Sequence, residues 1–155
     1  MEKYDFNEEA VADAIVVWCG DPRLQKIFNE FLSRELKIER PALISLAGSV
    51  SPVGIQHNIA GTHHCAFSTL KNQLSFFLNR FPAVRVVLIN HEDCGMYKSI
   101  ANLFKHETIT QQKNDVLRTV SLVKTLHPER KNIEGYMGCL EHGGENKKIY
   151  FEKVT

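Results

Sequence analysis

Two short segments, far apart in the sequence, carry side chains that could together hold a metal ion. The first is Cys-Gly-Asp-Pro-Arg, which begins at Cys19 and contains Asp21 and Arg23. The second is His-Glu-Asp-Cys-Gly, which contains His91 and Cys94. Two thiolates and one imidazole form a Cys₂His set, which leaves a fourth tetrahedral position open, as in catalytic zinc sites. Because sulfur ligands favour zinc over magnesium or calcium, we expect zinc.

Each of these side chains also has a purely structural interpretation. A cysteine at the end of a buried strand usually packs as a small hydrophobic group. Asp21 could cap the N-terminus of a helix whose first residue is Pro22. Arg23 could be a solvated charge, although a cation in a first helical turn is mildly unfavourable. The metal hypothesis is the stronger one because the structural interpretations would all have to hold together.

Short apolar runs predict the strands that must bring the two segments together. The predicted strands cover residues 14–19, 42–46, 84–90, 132–140 and 148–154. Because helical patterns alternate with these runs, we predict an α/β fold. It has a mainly parallel β-sheet flanked by helices on both faces, with a C-terminal antiparallel hairpin as its edge. Ligand sites in such sheets lie beyond the carboxyl ends of the strands. Cys19 and His91 both follow predicted strands, so the two segments should meet there.

Apolar residues at helical spacing predict the helices. The stripes run through Leu24–Leu36, Phe67–Phe81, Met96–Phe104 and Val116–Leu126. Asp21 as N-cap and Pro22 as first residue predict the start of the first helix, which should end before Pro41. Residues 47–62 contain glycines and a proline among small residues, and this composition predicts a loop.

Composition narrows the class of protein. The 155 residues are 43% apolar and 24% charged, which predicts a single domain over residues 1–155. With 19 basic and 18 acidic residues, we expect no nucleic-acid partner and no membrane partner. The N-terminus lacks the profile of a secretion signal, so we expect a soluble, cytoplasmic protein. The four cysteines form no Cys-x-x-Cys pair, and we expect free thiols or metal ligands rather than disulfides.

The chain resembles the β-class carbonic anhydrases in a paired signature, Cys19-x-Asp21-x-Arg23 followed by His91-x-x-Cys94-Gly95. Further likeness to that family lies in Leu43–Gly48, Ser68–Leu70 and Ile133–Leu140. The resemblance covers most of the chain from Ala14 onward. On this basis the chain is identified as a short, divergent member of the family.

The resemblance implies a zinc ion held by Cys19, His91 and Cys94. It implies reversible hydration of CO₂ to bicarbonate, with zinc-bound hydroxide as the nucleophile. Asp21, oriented by Arg23, would accept a hydrogen bond from the zinc-bound water or hydroxide. In a resting state of the family, that aspartate takes the fourth zinc position instead, although Pro22 could restrict this movement. The resemblance also implies a homodimer or a dimer of dimers, with CO₂ and bicarbonate as the small-molecule substrate.

Departures from the family pattern keep two alternatives open. Ser45 and Leu46 stand where the family usually has Arg-Asn, which motivates a related zinc hydrolase that acts on carbonyl sulfide or carbon disulfide. A more apolar site mouth would favour those substrates. The other alternative is a non-catalytic homologue that binds zinc or bicarbonate, against which the presence of Asp21 and Arg23 argues.

A second group of metal-binding residue types lies between the two signature segments. It consists of His57, His63, His64 and Cys65. These residues could form a second metal site or a proton shuttle, since histidine titrates near working pH. A solvated polar loop is the interpretation we favour.

Overall fold

In the described part of the chain, the sheet of the computed structural model contains five strands in the order β2-β1-β3-β4-β5. The structure describes residues 2–4, 8–58, 64–101, 107–142 and 147–155. The strands are β1 (Ala14–Cys19), β2 (Pro41–Leu46), β3 (Arg85–His91), β4 (Ile133–Leu140) and β5 (Ile149–Lys153). The first four strands pair in parallel and β5 pairs antiparallel with β4. The predicted α/β fold, with its antiparallel hairpin at the edge, is confirmed.

Helices cover both faces of this sheet. They are α1 (Gln25–Glu30), which continues into a π-helical turn (Phe31–Glu35), α2 (Ser51–Asn58), α3 (His64–Arg80), α4 (Gly95–Ser99) and α5 (Thr108–Leu126). Alternate residues of β1 divide the core, since Val16 faces Phe28 of α1 while Ile15 faces Leu74 of α3 and Val116 of α5. Among the described residues, no helix is long and apolar enough to cross a membrane.

The loop predicted for residues 47–62 is wrong over Ser51–Asn58, which forms α2. Pro52 lies in the first turn of this helix, where its missing N–H leaves no hydrogen bond unmade. Gly54 marks a close approach of two helices, since a Cβ there would lie 2.1 Å from the carboxylate oxygens of Asp115 in α5. The glycine that suggested a loop is therefore a packing requirement. Residues 59–63 lie outside the described part of the chain.

We expect Gly54→Ala to lower the free energy of unfolding by about 1–3 kcal/mol, since the added methyl group overlaps a buried carboxylate. Denaturant unfolding measures the change. Gly95→Ala is the matched control, because its added Cβ meets no heavy atom of the described residues within 4 Å, chain neighbours and its own helix aside. Equal stability of Gly54→Ala and wild type would contradict the packing of α2 against α5.

The predicted helix start at Asp21 is also wrong. The helix begins at Gln25, with Leu24 as its N-cap residue and no side-chain cap. The backbone N–H of Leu24 donates to the carbonyl oxygen of Asp21 (3.1 Å), and that of Arg23 donates to Asp21 Oδ1 (3.0 Å). Asp21 thus forms an Asx-turn that precedes the helix. This turn keeps the Asp21 carboxylate beside Arg23.

The helix predicted from the stripe Met96–Phe104 is shorter in the structure. It ends at Ser99, and Leu103 and Phe104 lie outside the described residues. The parallel pairing of β1 with β3 then sets the position of the site. Cys19 is the last residue of β1 and His91 is the last residue of β3. Because the two strands are parallel neighbours, both residues lie at the carboxyl ends of the strands.

Candidate metal centre

The three predicted metal ligands lie together in the structure. One ligand atom each of Cys19, His91 and Cys94 lies within 4.8 Å of the others. All three residues are buried. The two segments meet because parallel strands end at the same edge of the sheet, with Cys94 at the start of α4.

The geometry of this cluster fits a tetrahedral zinc ion. The Sγ atoms of Cys19 and Cys94 are 3.8 Å apart, and two sulfurs bound to zinc at tetrahedral angles are separated by about 3.8 Å. His91 Nδ1 lies 2.8 Å from the carbonyl oxygen of Glu92, whereas the buried Nε2 has no hydrogen-bond partner within the described chain. Donation from Nδ1 to this carbonyl leaves Nε2 as a free lone pair, the usual state of a metal-binding imidazole.

The surroundings of the two thiols shift their pKa values in opposite directions. A hydrogen bond from Cys94 lowers the pKa of Cys19, and the backbone N–H of Gly48, 3.3 Å from Cys19 Sγ, acts in the same direction. The neighbouring Cys19 and burial raise the pKa of Cys94. Gly48 has a φ of +75°, a left-handed conformation that favours glycine. A metal ion held by both sulfurs would require both cysteines as thiolates.

Asp21 and Arg23 form a bidentate ion pair beside the cluster. Arg23 Nη2 lies 2.6 Å from Asp21 Oδ2, and Arg23 Nε lies 3.0 Å from Asp21 Oδ1. The hydrogen bonds from Arg23 hold the pKa of Asp21 below its usual range. The Asp21 side chain is 12% exposed, so a mostly buried carboxylate is kept ionised in one orientation.

Asp93 is a site residue that the sequence analysis missed. Arg23 Nη1 lies 2.9 Å from Asp93 Oδ2, and Arg23 Nη2 donates to the carbonyl oxygen of Asp93 at 3.1 Å. Lys98 forms a second ion pair with Asp93, and Lys98 together with Arg23 lowers the pKa of Asp93 to about 2. Arg23 is therefore held by carboxylates on two sides. The available signal was an acidic residue inside the His91-x-x-Cys94 spacer.

A cavity of about 520 Å³ opens beside the cluster. Cys19, Asp21, Arg23 and Cys94 line it, together with the less polar residues Gly20, Pro22, Ala47, Gly48, Gly95 and Met96. Outside the signature residues this wall offers no charged side chain. The cavity therefore brings an oriented carboxylate and two of the candidate metal ligands beside a weakly polar wall.

The other cysteines and histidines singled out in the sequence do not join this centre. All four cysteines are free, as expected, and Cys65 is exposed. Cys139 is buried in β4, with its Sγ 3.7 Å from Glu152 Oε2. The side chains of His57, His63 and His64 lie outside the described residues. In the part of the chain that the structure describes, no second group of three metal-ligating residues occurs.

Comparison with known proteins gives a similar solved structure but no sequence relative. No family model matches the chain, and no curated protein matches it. The chain is similar to a crystal structure of β-carbonic anhydrase isoform I from the protozoan Trichomonas vaginalis. The two share 14% sequence identity over 96% of this chain and 87% of that one, with a TM-score of 0.45.

Proposed function

We propose that this protein is a zinc-dependent enzyme that reversibly hydrates CO₂ to bicarbonate and a proton. The observation that carries the proposal is the ion pair of Asp21 with Arg23 in the cavity that Cys19 and Cys94 also line. A zinc site with only a structural role has no need of an oriented carboxylate. The sequence resemblance to the β-class carbonic anhydrases supports the same reaction.

The ligands proposed for zinc are Cys19, His91 and Cys94. Zinc bound in this way would lower the pKa of water in its open position and so supply a nucleophile near neutral pH. The two thiolates offset the charge of the metal, so this effect should be smaller than at a three-histidine site. The carbonyl oxygen of Glu92 orients His91, and the N–H of Gly48 stabilises the thiolate of Cys19.

Asp21 and Arg23 are proposed to orient the reacting water. An ionised carboxylate accepts a hydrogen bond from that water and directs an oxygen lone pair at the substrate. Arg23 keeps Asp21 ionised, while Asp93, itself paired with Lys98, restrains Arg23 from its other side. The apolar part of the cavity wall admits CO₂, which carries no charge.

Stopped-flow measurement of CO₂ hydration by the zinc-loaded protein tests the proposal. We expect turnover at pH about 7 that rises toward pH about 9, as the reacting water ionises. The pKa of Asp21 lies below its usual range, so titration of Asp21 contributes nothing to this rise. Absence of turnover at both pH values, with one zinc ion bound per chain, would contradict the proposal.

Hydrolysis of carbonyl sulfide or carbon disulfide is a second candidate reaction. The observation in its favour is the weakly polar wall that Pro22, Ala47 and Met96 contribute to the cavity. Assays of the three gases on one zinc-loaded preparation distinguish the reactions by their kcat/KM values. A higher kcat/KM for either sulfur compound than for CO₂ would favour this second reaction.

A further inference from the structure

A buried polar cluster lies between α5 and the segment that carries two of the proposed metal ligands. Its centre is Asp115, which is 0% exposed. The Asp115 carboxylate accepts hydrogen bonds from the hydroxyl of Tyr97 (2.9 Å), from Gln111 Nε2 (2.6 Å) and from Arg118 Nη1 (2.9 Å). Burial of a carboxylate is costly, and an apolar residue would fill a helix interface without that cost. Helix packing alone therefore does not explain Asp115.

The hydrogen bonds of this cluster connect the two ends of the ligand segment. Asn90 directly precedes His91, and Tyr97 lies three residues after Cys94. Asn90 Nδ2 donates to the hydroxyl of Tyr97 at 3.0 Å, and both side chains are buried. The hydroxyl of Tyr97 in turn donates to Asp115. The hydrogen bond between Asn90 and Tyr97 thus connects the two ends of this segment, and Asp115 joins it to α5.

Helix α5 also contacts the backbone of this segment directly. Gln112 Nε2 donates to the carbonyl oxygen of His91 at 2.6 Å, and Asn90 Nδ2 donates to the carbonyl oxygen of Gln112 at 2.9 Å. Within the segment, Asp93 has a φ of +62°, a left-handed conformation that residues other than glycine adopt less often. A segment with this conformation depends on contacts outside itself to keep its shape.

We propose that Asn90, Tyr97 and Asp115 are positioning residues for the metal ligands His91 and Cys94, and that they determine the metal affinity of the centre. The inference rests on the metal centre of the proposed function, although it does not depend on which reaction the centre catalyses. These residues act through the backbone of the ligand segment.

Cobalt titration of Tyr97→Phe tests this inference. The substitution removes one hydroxyl group and keeps the aromatic ring. We expect the Co²⁺ dissociation constant to rise about 10- to 100-fold, the usual effect of losing a partner that orients metal ligands. The ligand-field bands of bound cobalt should also change shape, which a loss of fold stability alone would not cause. Circular dichroism and melting of the metal-free variant show whether it is folded.

Two further variants control for the loss of a buried hydrogen bond. Tyr136→Phe removes the hydroxyl of a buried tyrosine, which donates to Glu134 Oε2 at 2.6 Å in its own strand, and it should keep wild-type cobalt affinity. Asp115→Asn retains an oxygen that accepts from Tyr97, so it should bind cobalt more tightly than Tyr97→Phe and give the wild-type band shape.

Wild-type affinity and band shape in Tyr97→Phe would overturn the inference. Weakening in Tyr136→Phe equal to that in Tyr97→Phe would also overturn it. A wild-type chain that binds cobalt through thiolates but does not hydrate CO₂ would overturn only the proposed reaction, because these affinities are measured without substrate. A wild-type chain that binds no cobalt would overturn both.

Discussion

Cys94→Ala is expected to lose bound zinc and CO₂ hydration together. The substitution removes one of the two sulfurs, 3.8 Å apart, and leaves Cys19 and His91 as the remaining members of the cluster. Two ligands are too few for the three-ligand set of a catalytic zinc site. After dialysis against buffer with trace zinc, elemental analysis should find zinc well below one equivalent per chain. Stopped-flow hydration should then equal the buffer rate.

Cys139→Ala is the matched control for this experiment. Cys139 is a buried free thiol in β4 that lies outside the metal-ligand cluster. We expect this variant to keep one zinc ion per chain and wild-type turnover, so that loss of a buried sulfur is separated from loss of a ligand. A Cys94→Ala protein that is active without metal would rule out the proposed site.

Asp21→Asn is expected to keep zinc and to lose about 100-fold in kcat/KM. An amide carries one acceptor oxygen, so it cannot both form the bidentate pair with Arg23 and accept a hydrogen bond from the reacting water. The ligand set is untouched. Elemental analysis and stopped-flow hydration on one preparation separate the two effects.

Asp13→Asn is a matched control for the loss of a carboxylate. Asp13 also forms an ion pair with an arginine, since its Oδ1 lies 3.3 Å from Arg40 Nη2. It precedes β1, however, and so lies at the amino end of that strand, away from the site. We expect this variant to keep wild-type kcat/KM. Unchanged kinetics in Asp21→Asn would remove Asp21 from the mechanism, whereas loss of zinc from that variant would identify Asp21 as a metal ligand.

The sheet and the meeting of the two signature segments could be predicted because both depend on local patterns. Apolar runs identify strands, and parallel strands that end in polar segments bring those segments to one edge. These patterns predict that Cys19 and His91 lie close together, although the two residues belong to different strands.

The errors arose where tertiary contacts outweigh local preference. Gly54 suggested a loop, but its role is to let α2 approach Asp115. Asp21 has the side chain of a helix cap, but its carboxylate instead pairs with Arg23. The ion pair of Arg23 with Asp93 joins residues 70 positions apart in the sequence. No local pattern specifies such a pair, because packing of the strands creates it.

The ligand cluster has a topological consequence for the folding of the chain. Cys19 and Cys94 are separated by 75 positions, so a metal ion that binds both acts as a cross-link across nearly half of the sequence. A permanent cross-link over such a span removes conformational entropy from the unfolded chain worth about 4 kcal/mol. Metal that binds the native state preferentially also stabilises it by mass action. The supply of free zinc would then govern how much of this protein is folded as well as how much is loaded.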